Sequence, residues 1–153
     1  MDIFLQTLVA GILKGGLYGL IGIGMSLIMG VMGIINLAHG QLMMVGMYVT
    51  FVCFHYLGID PYIGMFISMP ALFFLGVLIQ KFTLNPLMEV DSILPENQVL
   101  MTVGIGMVLV EITRFIFTSD YKSVQTSYSD ATFYIGEVSF SVALLIAFCI
   151  AIF

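Results

Sequence analysis

The sequence has no tryptophan, four prolines, two cysteines and only four basic residues among its 153: Lys14, Lys81, Arg114 and Lys122. Each scarcity excludes something. With so few cations and a formal net charge of −5, there is no basic surface to hold nucleic acid or a patch of anionic lipid. Cys53 and Cys149 sit alone in apolar runs without CxxC or Cys/His spacing, which makes them packing residues rather than metal ligands or a disulfide. The opening MDIFLQTLVAGILKGG lacks the basic n-region of a signal peptide, and its apolar character continues far beyond any cleavage site. It reads as the first membrane span.

What the chain has in excess is oil. Hydrophobic residues make up 61% and charged residues 8%, with a mean hydropathy of +1.15. Soluble domains run at roughly 45–50% apolar and about 25% charged, so the surplus faces lipid. The expected fold is all-α: a polytopic transmembrane helical bundle with about five membrane segments, each near the ~20 apolar residues that a span needs.

The first unit, Ile3 to about Ile35, is longer than a bilayer requires, so it tilts, breaks or partly re-enters. The second, from about Leu42 to Leu57, stops at GIDP, where Gly58, Asp60 and Pro61 make a tight turn. The third runs from Tyr62 to about Ile79. A polar connection, QKFTLNPLMEVDSILPENQ, reads as an extra-membrane loop, and Lys81 favours placing it in the cytoplasm. The fourth unit, Val99 to Phe117, carries Glu111 and Arg114 on one helical face near its end. They read as a helix end near water from which Arg114 snorkels, or as an internal ion pair. A Ser/Thr/Tyr-rich connection follows, and within it ATFYIGEVSFSV alternates in a way that suits a short hairpin around Gly136 and Glu137. The last unit starts near Val138 and is still apolar at Phe153, so it is expected to be truncated.

Glycine crowds the first unit. Gly11, Gly15 and Gly19 stand in GxxxG steps, which let two helix backbones approach where packing rather than hydrophobicity holds helices together. Together with Gly33 and Gly40 they are the expected helix-packing residues. Asn36, His39 and Gln41 then form a polar island flanked by Gly33 and Gly40. Polar side chains do not face lipid cheaply, and irregular backbone at membrane depth needs protein or water around it. The island is therefore either a boundary turn satisfied by water or a lining of a translocation route.

His39 has no second ligand at metal spacing, and His55 beside the turn reads as interfacial. Met25, Met29, Met32, Met43, Met44 and Met47 suit ordinary helix packing. No nucleophile with its base, acid–base pair or phosphate loop is present, so no enzymatic activity, cofactor or metal is expected.

Residues 15 to 51, GGLYGLIGIGMSLIMGVMGIINLAHGQLMMVGMYVTF, resemble the signature of permease subunits of bacterial branched-chain amino acid ABC importers. Gly30, Val31, Gly33, Ile35, Asn36, Ala38, His39, Gly40, Gly46 and Tyr48 match that family's pattern position by position. Leu37 stands where the family has an aromatic and Gln41 where it has an acid, so a role needing charge at position 41 has no carrier. Further on, Pro86, Leu87, Thr102, Val103 and Gly104 fit a second family region, while Asn85 and Met88 replace its arginines.

The resemblance implies that residues 1–153 are the N-terminal part of a single transmembrane permease domain in the bacterial inner membrane, ending before the loop that docks on the ATPase. It also implies three kinds of partner: a second permease subunit of the same type, cytoplasmic ATPase subunits that hydrolyse ATP, and a periplasmic solute-binding protein. The solute would be a branched-chain amino acid or, as in related permeases, urea, a short amide or another small solute. Asn36, His39 and Gln41 are the substrate-pathway candidates. The alternative from another class is a non-transporting membrane scaffold or assembly subunit, in which the glycines and the island only organise helix contacts.

Overall fold

The computed structural model describes residues 2–33, 35–88, 95–118, 120, 122–126, 132–135 and 138–152. No proline interrupts the apolar sequence before Pro61, and in lipid a helix satisfies its own backbone polar groups, which overrides the weak helix propensity of glycine. Helix α1 accordingly runs unbroken from Asp2 to Met32, 31 residues. At ~1.5 Å per residue that is about 46 Å, against a hydrocarbon core of about 30 Å. The expected break falls at the end of this helix rather than within it. Gly33 adopts φ +65°, while its N–H still reaches the Met29 carbonyl at 2.9 Å; a Cβ is disfavoured in that left-handed conformation, which makes glycine the usual helix terminator.

Helix α2 spans His39–Leu57 and α3 spans Pro61–Ile79. The turn between them follows the sequence closely. Gly58 is again left-handed at φ +65°, and the N–H groups of Gly58 and Ile59 reach the carbonyls of Phe54 and Cys53. Asp60 Oδ1 accepts the Tyr62 N–H at 2.9 Å, and Pro61, with no N–H to orphan, occupies the first turn.

The next segment differs from the expected loop. Residues Gln80–Leu84 continue α3 as a π-helical turn, followed by the short helix α4, Asn85–Met88. Pro86 explains the widening: it has no N–H for the ladder, and its ring crowds the carbonyl four residues back. The Asn85 N–H instead bonds to the Gln80 carbonyl, five residues earlier. The acidic stretch 89–94 lies outside the described residues. Helix α5 starts at Pro95, four residues earlier than its apolar run, and ends at Phe117.

Strands β1, Thr132–Ile135, and β2, Val138–Ser141, pair antiparallel with Ile135 opposite Val138. The turn residues Gly136 and Glu137 lie outside the described residues. Helix α6, Val142–Ile152, follows directly. Among the described residues, four helical stretches, Phe4–Val31, His39–Leu57, Pro61–Leu84 and Asn97–Phe117, are long and apolar enough to cross a membrane, and α6 is a shorter apolar helix. The fold is thus a predominantly helical, multi-pass membrane architecture to which the β1–β2 pair is added.

Two compact units are present, Met1–Leu27 with Gln125–Phe153, and Ile28–Val124. In the first, a Cβ at Gly16 would run into the ring of Phe148, so glycine permits α6 to lie against α1. In the second, α2 packs on α3 through Gly64, where a Cβ would lie 3.2 Å from Thr50 Cγ2, and through Gly46, where it would lie 2.8 Å from Leu72 Cδ1. Tyr48 of α2 stacks on Phe117 of α5 with ring centroids 4.5 Å apart. Large apolar side chains point outward, Phe115 to 91% exposure, as lipid-facing helices require.

The five glycines expected to pack helices make no close approach to another described residue of this chain. A Cβ at Gly11, Gly15, Gly19, Gly33 or Gly40 would meet nothing within 4 Å among the described residues. Among the described residues, close approaches are seen at Gly16, Gly46, Gly64 and Gly106.

Candidate functional site

The polar island is built by the end of α1, the start of α2 and one hydroxyl from α5. Gly33 turns the chain out of α1. Asn36 then folds back on its own backbone, its Oδ1 accepting the Ala38 N–H at 2.9 Å, the local turn that asparagine forms where a helix begins. The Ala38 carbonyl accepts the Leu42 N–H at 2.9 Å, and α2 is under way. His39 and Gln41 consequently lie in the first turn of a helix, whereas Asn36 lies in irregular backbone.

Thr102 of α5 holds the irregular segment from the other side. Its Oγ1 accepts the Leu37 N–H at 3.2 Å and lies 2.9 Å from the Val99 carbonyl and 3.4 Å from that of Ile35. A hydroxyl has one proton, so those two carbonyls compete for it. Thr102 is 1% exposed and Ala38 2%. Thr102 and Ala38 are thus enclosed where the junction meets α5, and the Leu37 N–H, which no helix serves, is satisfied there.

The three candidates part company. Asn36 lines a cavity of about 680 Å³ together with Ile28, Leu42, Phe73, Gly76 and Leu84, and its polar wall is completed by Gln80, Lys81 and Asn85. Gln41 goes the opposite way, onto α5: a Cβ at Gly106 would stand 3.2 Å from its Cδ and 3.3 Å from its Oε1. That oxygen is buried with no hydrogen-bond partner among the described residues. Leaving a buried acceptor unmet costs about 1–3 kcal/mol. His39 sits half-buried between them at the first position of α2.

Outside this junction, Glu111 Oε1 and Arg114 Nη1 are 3.0 Å apart, with side chains 70% and 60% exposed. Within this chain the pair lies on an exposed face of the last turns of α5.

Thr102 is the residue that sequence reasoning passed over. Its signal was present as a lone hydroxyl early in an apolar helix and as a matched position of the second family region. Its partner, a backbone N–H 65 positions away, has no local signature.

Known proteins resemble the chain in a consistent way. The family model for the permease component of branched-chain amino acid transport systems matches residues 7–153. The high-affinity branched-chain amino acid transport system permease protein BraD of Pseudomonas aeruginosa is 45% identical over 49 residues, 32% of this chain and 16% of that protein. LivH, the permease protein of the corresponding high-affinity system, is 46% identical over 48 residues in Escherichia coli K12 and in Salmonella typhimurium, 31% of this chain and 16% of each relative. The matched segment thus spans about a sixth of the length of these relatives. No solved structure shows significant similarity to the chain. With the family match running over nearly its whole length, the chain belongs to the family of branched-chain amino acid transport system permease components.

Proposed function

We propose that the protein is a membrane-spanning permease subunit of an ABC importer that moves branched-chain amino acids across the bacterial inner membrane. The observation that carries this reading is the family match over residues 7–153, on a chain whose helices are long and apolar enough to cross a bilayer. The subunit itself would perform no covalent chemistry. ATP hydrolysis falls to cytoplasmic ATPase subunits, solute delivery to a periplasmic binding protein, and the other half of the path to a second permease subunit.

Asn36, His39 and Gln41 are proposed to border the route. The geometry gives them different tasks. Asn36 spends its Oδ1 on the Ala38 N–H, so its task is to shape the start of α2. Gln41 Oε1, buried beside Gly106 without a partner, gains a hydrogen bond if α2 and α5 separate. The Thr102 hydroxyl can keep its proton on the Val99 carbonyl of its own helix, so its longer contact to the Ile35 carbonyl can be given up as the 35–37 segment moves. Each feature favours a junction that moves as the two faces of the permease open alternately.

The test is uptake of radiolabelled leucine, isoleucine, valine, urea and acetamide in cells with and without the gene. Loss of branched-chain amino acid uptake on deletion supports the reading. Loss of urea or acetamide uptake alone would move the protein to a related substrate class, and unchanged uptake of all five would favour a scaffold.

A further inference from the structure

We propose that the cavity beside Asn36 is a binding site for one anionic phospholipid, with its phosphodiester at Lys81 and an acyl chain along α3. This inference does not depend on the transport reading. The cavity holds about 680 Å³ and is walled by Leu42, Leu72, Phe73, Val77 and Leu84. A solute such as leucine, with about nine non-hydrogen atoms, fills little of a volume in the range that encloses drug-sized ligands, roughly 300–1,000 Å³. An acyl chain fills it and matches its apolar wall.

The polar end is rich in donors. Asn36 Oδ1 is committed to the Ala38 N–H, leaving the Nδ2 protons. The side-chain amides of Gln80 and Asn85 bond each other at 3.1 Å, and whichever way that pair is turned, amide protons remain. Lys81, an exposed residue whose ammonium lies 5.9 Å from the centroid of the Phe82 ring, adds a cation that can swing to a headgroup. Three sources of N–H around one apolar cleft suit an acceptor-rich anion, and the chain's lack of a polybasic patch is no obstacle because a single headgroup needs one cation.

Depth agrees with chemistry. The third span ends at Leu84, so Gln80, Lys81 and Asn85 stand where the hydrocarbon gives way to headgroups. The start of α2 lies at the same end of the α2–α3 hairpin. The π-helical turn that Pro86 imposes is what brings Gln80 and Asn85 within hydrogen-bond reach of each other.

Native mass spectrometry of the protein with dioleoylphosphatidylglycerol and dioleoylphosphatidylcholine tests this. Wild type is expected to retain one phosphatidylglycerol over phosphatidylcholine by about fivefold, the preference that one near-surface lysine supplies. Lys81→Gln should abolish that preference. Gly76→Leu, at a position where a Cβ meets nothing within 4 Å, should fill the cavity and expel either lipid, while Lys122→Gln should change nothing. Equal retention of the two lipids by wild type, or a preference that survives both Lys81→Gln and Gly76→Leu, would overturn the assignment. So would displacement of phosphatidylglycerol by free leucine, which makes the cavity a solute site, or a lipid-free dimer at excess lipid, which makes it a contact between copies.

Discussion

The backbone N–H of Leu37 and the hydroxyl of Thr102, 65 positions apart in the chain, are joined by a hydrogen bond of 3.2 Å. The bond ties the one irregular stretch between α1 and α2 to the early turns of α5. Thr102→Val keeps shape and removes the acceptor, leaving the part-buried Leu37 N–H without that partner. The expected loss is about 1–3 kcal/mol in unfolding free energy, measured by denaturant titration in micelles. Thr102→Ser, which keeps the hydroxyl, should lose less than half as much; equal losses would mean that methyl packing, not the hydrogen bond, holds the junction.

Glycine positions should divide sharply. Gly64 faces Thr50 and Cys53 of α2, and a side chain there has nowhere to go, so Gly64→Val should destabilise by about 1–3 kcal/mol. Gly15→Ala meets open space and should leave the isolated chain as stable or up to about 1 kcal/mol more stable. Thermal unfolding of the two variants side by side checks this. If Gly15→Ala nevertheless lowers assembly with the second permease subunit, the GxxxG face packs between chains.

Helices α2, α3 and α5 alternate in direction, which fixes the sides of two cations. Lys81 closes the third span and Arg114 lies in the last turn of α5, so they belong to opposite faces of the membrane. Lys81→Cys and Arg114→Cys, each with Cys53 and Cys149 changed to alanine, should react with a membrane-impermeant maleimide from opposite sides. Labelling of both from one side would contradict the proposed crossing of α5.

Much of the architecture could be read from the sequence because lipid leaves few options. Apolar length places the spans, and Gly58, Asp60 and Pro61 place the α2–α3 turn. Other features escaped because their causes are not local. The polar run from Gln80 resembles a loop by composition, yet a helix already under way carries through it to Met88, with a π turn where Pro86 removes a donor. The GxxxG steps suggest close packing, but which glycine is approached depends on where a partner such as Phe148 or Leu72 lands. Within the site, the grouping of Asn36, His39 and Gln41 was visible. Their divergence, Asn36 toward α3 and Gln41 toward Gly106, depends on how α2 is turned between its neighbours.

The Gly33–Gln41 junction is proposed to be a working part of a branched-chain amino acid permease. The most direct measurement is the initial rate of labelled leucine uptake by cells carrying Asn36→Leu in the full-length protein, at membrane abundance matched to wild type. Loss of the Asn36–Ala38 hydrogen bond costs about 1 kcal/mol of local stability, too little to prevent insertion. A fall in uptake of about tenfold or more is expected, with Asn36→Asp, which keeps the Ala38 hydrogen bond, recovering part of it. Uptake by Asn36→Leu equal to wild type would contradict that role.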